Sequence, residues 1–347
     1  MDILSYFKKA VEQKASDLHL VAGSVPTLRL HGELIKLNHD VIDNEELKKA
    51  IKKVIGDESW EKFLKEKEMD FAQEFFNGRF RINLHLQTDR IGLAARFISQ
   101  AIPRPDEIRF DETIYNLTHL TEGLVIVTGP SGCGKSTTLA TMIDIINRER
   151  RAHIITIEDP IEYLFKENQS IVEQREVGID TNSFAAALKY ALRQDPNVIM
   201  VGEMRDIETI SAVLTAAETG HLVLSTLHTP NAVETISRIV DVFPENRKEQ
   251  VLNQLSSILR CVIAQQLLPK KGGGRIVARE IMINNNAIAN LIRRGQFSQI
   301  YNVIQTNRKT GMITMNKAID ELLRDDLITE STAKNRKRDL STQAVYY

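Results

Sequence analysis

Residues 124–137 read LVIVTGPSGCGKST, an apolar run followed at once by the pattern GxxxxGKS. Apolar residues then recur at helical spacing at Leu139, Met142, Ile143 and Ile146. A buried strand that turns through glycines into a helix directs backbone N–H groups and the positive helix end towards phosphate oxygens. The segment therefore predicts a phosphate-binding loop of the P-loop type, and a plain glycine-rich turn is the weaker interpretation.

Each position of this loop has an expected role in binding ATP. Lys135 is expected to reach the β- and γ-phosphates, and the Ser136 hydroxyl is expected to bind Mg²⁺. Cys133 stands at a variable position and is expected to be a small filler rather than a reactive thiol. The residues predicted to bind the nucleotide are Ser131, Gly132, Cys133, Gly134, Lys135, Ser136 and Thr137.

Further apolar runs of strand length follow along the chain and alternate with helix-compatible sequence. They lie at 154–157, 198–201 and 222–226. Strands that alternate with helices are typical of an α/β fold with a parallel sheet covered by helices on both faces. The carboxyl ends of parallel strands meet at one edge of the sheet, where ligands bind.

Carboxylates follow two of these strands directly. ATP hydrolysis needs groups that bind Mg²⁺ and position the attacking water. Glu158 and Asp159 follow the strand at 154–157, and they could do this work or form an ordinary strand-end turn. Glu203 follows the strand at 198–201 and is the best candidate to orient or deprotonate the attacking water. The alternative for Glu203 is a carboxylate that only stabilises a helix N-terminus.

The strand at 222–226 has a histidine at each end. Beyond its carboxyl end lies the polar sequence Ser225-Thr226-Leu227-His228-Thr229, so His228 is predicted to sense the γ-phosphate. A single histidine is also often a structural residue. His221, at the other end, is expected to be structural or auxiliary.

The remaining sequence divides into an N-terminal domain, a connector and a C-terminal tail. Residues 1–98 mix short alternating strands with amphipathic helices at 2–14, 44–55 and 58–67, which indicates a small α+β domain. Two prolines make 99–106 a stiff connector. The strand and helix alternation occupies 107–284, and 285–347 is predicted to be helical at 287–294, 297–305, 314–324 and 330–338.

Composition narrows the class of protein. The 347 residues contain 45 Lys and Arg against 46 Asp and Glu, and a formal net charge of −1 is unusual for a protein that mainly grips nucleic acid. The two cysteines, Cys133 and Cys261, exclude a disulfide scaffold and a cysteine zinc site. No apolar run approaches the roughly 20 residues of a membrane span. A cytoplasmic protein with no nucleic-acid partner is expected.

Four segments together resemble the Walker A, Asp, Walker B and His boxes of the secretion ATPase superfamily. In order they are residues 129–136, 157–163, 192–206 and 219–229. The sequence from Thr215 to Pro244 is most similar to the PilT-type ATPases that retract type IV pili, as is the N-terminal SDLHL element at 16–20. The resemblance covers essentially the whole chain.

This resemblance implies a PAS-like N-terminal α+β domain, a RecA-like P-loop ATPase domain and a helical C-terminal region. It implies a homohexameric ATP-hydrolysing motor for twitching motility that acts on an inner-membrane pilus platform protein and can work beside a paralogous accessory ATPase. Arginines of the N-terminal domain would reach the γ-phosphate, and Arg81 and Arg96 match best. Solvated strand charges are the alternative for both arginines.

Four other functions remain open. A secretion or DNA-uptake ATPase, or a PilU-like accessory ATPase, would share the four boxes. The C-terminal AIRNLIR motif of PilT proteins reads AIANLIR here, with Ala289 in place of arginine. A nucleotide-gated scaffold without turnover would keep the P-loop, and a nucleic-acid translocase would need a basic channel. The one dense basic run, 334–338, is expected to be a solvated helix face.

Overall fold

The computed structural model describes residues 2–30, 33–37, 40–76, 78–98 and 101–337. These residues form two compact units, one of Met1–Ala101 with Pro160–Leu164 and the other of Ile102–Asp159 with Phe165–Tyr347. Ser99 and Gln100 of the predicted connector lie outside the described residues, and so do Arg338 of the predicted last helix and the residues after it.

The first unit is an antiparallel sheet covered by helices on one face. In chain order its elements are α1 (Ile3–Glu12), β1 (Asp17–Val21), β2 (Thr27–Leu30), β3 (Glu33–Lys36), α2 (Asn44–Glu66), β4 (Glu68–Phe75), β5 (Gly78–Gln87) and β6 (Arg90–Ile98). The strand order is β3-β2-β1-β6-β5-β4. Helix α2 is interrupted at Gly56, whose φ of 81° is left-handed, so it corresponds to the two predicted helices.

Strand alternation gives this sheet one apolar and one polar face. Leu18, Phe80 and Ile82 are buried in the core with residues of α1 and α2. We call the opposite side the polar face and define it by Asp17, His19, Arg81, Asn83 and Arg96, which alternate with core residues on β1, β5 and β6.

The second unit contains a seven-stranded sheet of order β13-β12-β7-β11-β10-β8-β9 in the described part of the chain. Its strands and helices are α3 (Glu112–Leu117), β7 (Gly123–Thr128), α4 (Lys135–Glu149), β8 (His153–Glu158), β9 (Ile171–Glu176), α5 (Phe184–Ala191), β10 (Val198–Val201), α6 (Ile207–Glu218), β11 (Leu222–Leu227), α7 (Ala232–Asp241), α8 (Glu245–Ile258), β12 (Leu259–Pro269) and β13 (Arg275–Ile283).

This sheet has helices on both faces, as an α/β fold requires. Strands β7, β10 and β11 are buried along their whole length, which explains why they read as continuous apolar runs. Helix α4 packs on one face of the sheet, while α5 to α8 pack on the other. The strands from β12 to β9 run parallel, and only β13 pairs antiparallel, with β12. The predicted fold class is confirmed.

The C-terminal helices continue the second unit. They are α9 (Asn286–Arg293), α10 (Ile300–Thr306), α11 (Met315–Arg324) and α12 (Glu330–Arg336). In α9, which contains the AIANLIR sequence, Ile288 and Ile292 are buried. Glu280 of β13 is buried and accepts hydrogen bonds from the first backbone N–H groups of α7 and α11, at 3.0 Å from Ala232 and 3.3 Å from Met315. Positive helix ends stabilise such a buried carboxylate.

Candidate active site

The glycine-rich sequence forms a loop between β7 and α4 at the centre of the seven-stranded sheet. Gly134 is the N-cap of α4, with a φ of 90° that a residue with a Cβ rarely adopts. A glycine cap has no side-chain oxygen, so an anion can accept hydrogen bonds from the first N–H groups of the helix. The loop therefore has the backbone geometry of a phosphate site.

The seven predicted nucleotide-binding residues differ in exposure along the loop. Ser131 and Gly132 are exposed, Cys133 and Lys135 are buried, and Gly134, Ser136 and Thr137 are half-buried. Burial raises the pKa of the Cys133 thiol. A buried thiol with a raised pKa is a poor nucleophile, which agrees with its expected role as a filler.

Lys135 lies buried at the base of the loop, with 8% of its surface exposed. Its Nζ donates to the carbonyl oxygens of Gly129 at 2.9 Å and Pro130 at 3.2 Å. It also lies 3.4 Å from Nδ1 of His228. The ammonium is thus held at the loop by neutral acceptors, which a phosphate oxygen can replace.

Glu203 and His228 meet at the same edge of the sheet. Oε2 of Glu203 lies 3.2 Å from Nε2 of His228, and Oε1 lies 2.7 Å from Nε of Arg205. An ammonium can only donate, so Nδ1 of His228 accepts from Lys135 and its Nε2–H donates to Glu203. The structure therefore links Lys135, His228 and Glu203 by two consecutive hydrogen bonds.

Hydroxyl groups fix the strand ends that carry these residues. Thr128 Oγ1 bonds to the carbonyl of Thr229 at 2.6 Å and to its hydroxyl at 2.7 Å, which links the end of β7 to the residue after His228. Thr226 Oγ1 donates to the carbonyl of Gly202 at 2.6 Å. Both His228 and Glu203 therefore lie next to a backbone position that a threonine holds.

Glu158 and Asp159 have different surroundings at the end of β8. Glu158 is 7% exposed and its Oε1 accepts from the Thr156 hydroxyl at 2.7 Å and the Gln174 amide at 3.2 Å. Asp159 is exposed in the bend that follows. The register of β8 and β10 puts Ile157 beside Val201, so Glu158 lies next to the start of the segment that carries Glu203. His221, by contrast, lies at the far end of β11 and bonds to the carbonyl of Ala216.

A cavity of about 370 Å³ adjoins the loop and lies between it, β12, β13 and residues 106–109. Arg279 of β13 forms part of its wall and donates to the carbonyls of Ile108 at 2.8 Å and Arg109 at 2.9 Å. Its guanidinium also lies 5.3 Å from the centre of the Phe110 ring. Burial lowers the pKa of Arg279 to about 10. The size of the cavity suits a small organic ligand next to the phosphate site.

Arg81 and Arg96 belong to the first unit, on its polar face. They are direct neighbours across β5 and β6. Nε of Arg96 lies 3.0 Å from Oδ1 of Asp17, and Nη2 of Arg81 lies 3.8 Å from Oδ2 of Asp70. The two guanidinium groups therefore form an exposed pair whose nearest carboxylates are supplied by the same sheet.

Sequence reasoning missed three residues of the second unit that shape the site, namely Arg205, Gln265 and Arg279. Arg205 was detectable, because it stands two positions after Glu203 within the segment 192–206 that resembles a Walker B box. Gln265 contacts the loop from β12, and Arg279 holds the cavity wall from β13. Neither strand was predicted from the sequence pattern.

Comparison with known proteins gives consistent matches. The family model described as "Type II/IV secretion system protein" matches residues 107–344. The type IV pilus retraction ATPase PilT of Pseudomonas aeruginosa is 43% identical over 97% of this chain and 98% of its own length. A twitching motility protein of Neisseria gonorrhoeae is also 43% identical, over 97% of this chain and 91% of its own length.

A solved structure matches over nearly the full length. The crystal structure of the pilus retraction motor PilT with bound ADP superposes with a TM-score of 0.92 at 46% identity, over 99% of this chain and 98% of that one. Among the described residues, no helix combines the length and the apolar character that crossing a membrane requires.

Proposed function

This chain belongs to the type II/IV secretion system protein family and is an ATPase of the PilT type, and we propose that it retracts a type IV pilus by hydrolysing ATP. The observation that carries the proposal is the chain of hydrogen bonds from Lys135 through His228 to Glu203, next to the P-loop. It joins a phosphate-binding cation to a carboxylate that can activate water.

We infer that ATP binds with its phosphates in the loop and its nucleoside in the adjoining cavity. Phosphate oxygens would replace the carbonyls of Gly129 and Pro130 as partners of Lys135. The N–H groups at the start of α4 would complete the cradle. The cavity is lined by Gly134 and Thr137 of the loop, so a nucleoside in the cavity would adjoin phosphates bound in the loop.

Hydrolysis would then depend on Glu203 and His228. Glu203 would orient or deprotonate the attacking water, which is the role of a general base. When Lys135 turns towards phosphate, Nδ1 of His228 loses its donor, and His228 can respond to the γ-phosphate. Nε2 of the same ring bonds to Glu203. Phosphate binding in the loop would therefore change the hydrogen bonding of the Glu203 carboxylate through His228.

Magnesium fits the oxygen donors of this region. The Ser136 hydroxyl lies at the first turn of α4, and Glu158 supplies a buried carboxylate at a neighbouring strand end. Mg²⁺ needs few protein ligands when phosphates and water complete its shell. When bound, it would neutralise charge on the β- and γ-phosphates. Asp159 is exposed and could bind a water molecule that is itself a ligand of the Mg²⁺ ion.

The working assembly we propose is a homohexamer in which Arg81 and Arg96 act on the ATP of a neighbouring subunit. Their exposed pairing supports this role, because a guanidinium with few fixed contacts can take up a phosphate. The ring would sit at the cytoplasmic side of the inner membrane against a pilus platform protein. An accessory ATPase of the PilU kind could share that platform.

Binding of ATP is tested with Lys135→Ala, measured by calorimetry with Mg·ATP. Removal of the buried ammonium should weaken binding about 100-fold, since hydrogen bonds between charged groups contribute a few kcal/mol. The exposed Lys189 offers a matched control, and Lys189→Ala should bind normally. Unchanged affinity in Lys135→Ala would contradict the site.

The biological role is tested by inactivating the gene in its own host. Loss of twitching in cells that keep surface pili supports a retraction motor. Loss of the pili themselves would indicate an assembly ATPase, and loss of protein export or DNA uptake with normal twitching would indicate a secretion or uptake ATPase. A scaffold without turnover predicts no steady-state ATPase activity at any protein concentration.

A further inference from the structure

The P-loop rests against strand β12, and Gln265 of that strand contacts the loop through its backbone. In the parallel register Ala264 lies beside Thr128, so Gln265 comes next to Gly129, the first loop residue. A Cβ at Gly129 would collide with the carbonyl oxygen of Gln265. The beginning of the loop is therefore fitted to the β12 backbone, and glycine is required there.

The side chain of Gln265 holds the other end of the loop. Its Nε2 donates to the carbonyl oxygen of Cys133 at 2.9 Å, and its Oε1 accepts from the Thr138 hydroxyl at 3.0 Å. Gln265 is only 1% exposed. Because the Cys133 carbonyl can only accept, the amide orientation follows from chemistry. Gln265 therefore joins the loop to the first turn of α4.

This contact sets the direction of one phosphate-binding donor. In a planar trans peptide the C=O and the next N–H point in opposite directions. A Cys133 carbonyl held by Gln265 therefore turns the N–H of Gly134 to the opposite side of that peptide. The Gly134 N–H belongs to the run of backbone donors that precedes Lys135 and cradles phosphate in a P-loop.

We propose that Gln265 is a positioning residue that fixes the Cys133–Gly134 peptide in its phosphate-binding orientation before the nucleotide arrives. The role rests on the proposed nucleotide site, and Gln265 lies outside all four sequence boxes. A preformed loop avoids the cost of ordering the peptide when ATP binds. The expected consequence of losing Gln265 is weaker binding of the phosphates themselves.

The test uses Gln265→Met, which keeps the side-chain length but removes both hydrogen bonds. Dissociation constants are measured with Mg·ATP and with Mg·tripolyphosphate, which has the phosphates but no nucleoside. Both should rise by the same factor, about tenfold, as expected for a lost hydrogen bond that organises a binding loop. The KM for ATP should rise with it, while kcat at saturating ATP stays within about twofold.

The neighbouring residue provides a matched control. Gln266 follows on the same strand and points to the opposite face of the sheet, so Gln266→Met should bind both ligands normally. Thr138→Val removes only one of the two Gln265 bonds and should have a smaller effect, about two- to threefold. If Gln265→Met does not fold, Gln265→Leu also removes both hydrogen bonds without adding a charge near the phosphates, and it carries the same expectation.

Three results would overturn the role of Gln265. If ATP binds more weakly but tripolyphosphate does not, Gln265 contacts the nucleoside rather than ordering the loop. If neither constant changes while Lys135→Ala loses binding, Gln265 has no positioning role and the proposed function stands. If Lys135→Ala also binds both ligands normally, the proposed nucleotide site itself is wrong, and the role of Gln265 is lost with it.

Discussion

The P-loop edge of the seven-stranded sheet and the polar face of the six-stranded sheet both gather charged side chains, but they hold them differently. At the P-loop edge, Lys135 and Glu158 are buried and each has two or more hydrogen-bond partners. On the polar face, the side chains of Arg81 and Arg96 are 47% and 75% exposed. Each arginine has a carboxylate of its own sheet as an ion-pair partner.

This difference indicates which of the two charged groups is held in a fixed arrangement by the fold. Buried charges are costly unless they are fully paired, so the P-loop edge must be assembled when the unit folds. Exposed ion pairs contribute little and exchange partners at little cost. The arginine pair is therefore suited to a ligand that arrives from outside its own unit, and the P-loop edge to one that it encloses.

The largest effect on turnover should come from a change at the P-loop edge, Glu203→Gln. The amide cannot accept a proton, so turnover should fall about 10⁴-fold, at the upper end of the contribution of a general base. Affinity for Mg·ATP should remain, because Lys135 and the loop are intact. Steady-state hydrolysis and calorimetry measure the two quantities, and Glu208→Gln on the exposed side of α6 is the control. Retained hydrolysis would remove Glu203 from this role.

A somewhat smaller loss of turnover is expected from a change on the polar face, Arg81→Ala. Arginines that contact a transferring phosphoryl group contribute about 10³-fold or more. If the site is shared between subunits, mixing Arg81→Ala with Glu203→Gln protein should restore part of the activity, because some interfaces then contain both intact halves. Arg90→Ala, at the far end of β6, serves as the control. Absence of rescue at every mixing ratio would count against the arginine.

A third variant tests whether turnover depends on the orientation of the exposed Arg96 side chain. Asp17 bonds to Nε of Arg96 at 3.0 Å, and Asp17→Asn weakens that restraint without touching the P-loop edge. Turnover should fall about tenfold with unchanged nucleotide affinity, as expected for a misoriented side chain. Equal losses in turnover and affinity would mean that the polar face and the P-loop edge do not differ in the way described.

The smallest effect is a pH dependence of stability at the same carboxylate. Partial burial opposes ionisation of Asp17, but hydrogen bonds from Arg96 and Ser16 outweigh it and hold its pKa below the ordinary value of 3.8. The stabilisation is therefore present above about pH 4 and is lost as the pH falls through the folded-state pKa. For an exposed partner it should amount to less than about 1 kcal/mol.

Fluorescence of Trp60 reports this effect, since it is the single tryptophan and lies buried in the first unit. In urea titrations Asp17→Asn should be less stable than the parent at pH 7, and the difference should vanish in acid below the folded-state pKa. A difference that persists below the folded-state pKa would show that the loss is structural rather than electrostatic.

The fold and the site were predictable from the sequence where the determinants are local. The P-loop, the strands before Glu158 and Glu203 and the strand before His228 each combine a buried apolar run with polar residues at its end. That combination also brings the residues to one edge, because parallel strands all end there. The tautomer of His228 and its bonds on both sides needed coordinates, since they depend on side-chain distances.

What the sequence did not provide depends on pairing between distant segments. Residues 259–269 follow helix α8 without turn residues, and an apolar run of this length fits a helix or a strand. Only its pairing beside β7 makes it β12 and brings Gln265 to the loop. Likewise, the resemblance pointed to Arg81 and Arg96 separately, but their pairing across β5 and β6 depends on strand register.

The single carboxylate of Glu280 has a mechanical consequence for the C-terminal helices. It accepts a backbone hydrogen bond from the first residue of both α7 and α11, and Ile313 just before α11 exchanges backbone hydrogen bonds with Ile281 of β13. Pulling the tail away would therefore remove the Met315 N–H from the buried carboxyl group of Glu280, which is unfavourable because a buried polar atom loses a partner. Because β13 pairs with β12 and β12 with β7, a load on α11 would act on the same hydrogen-bonded sheet as the strand that leads into the P-loop.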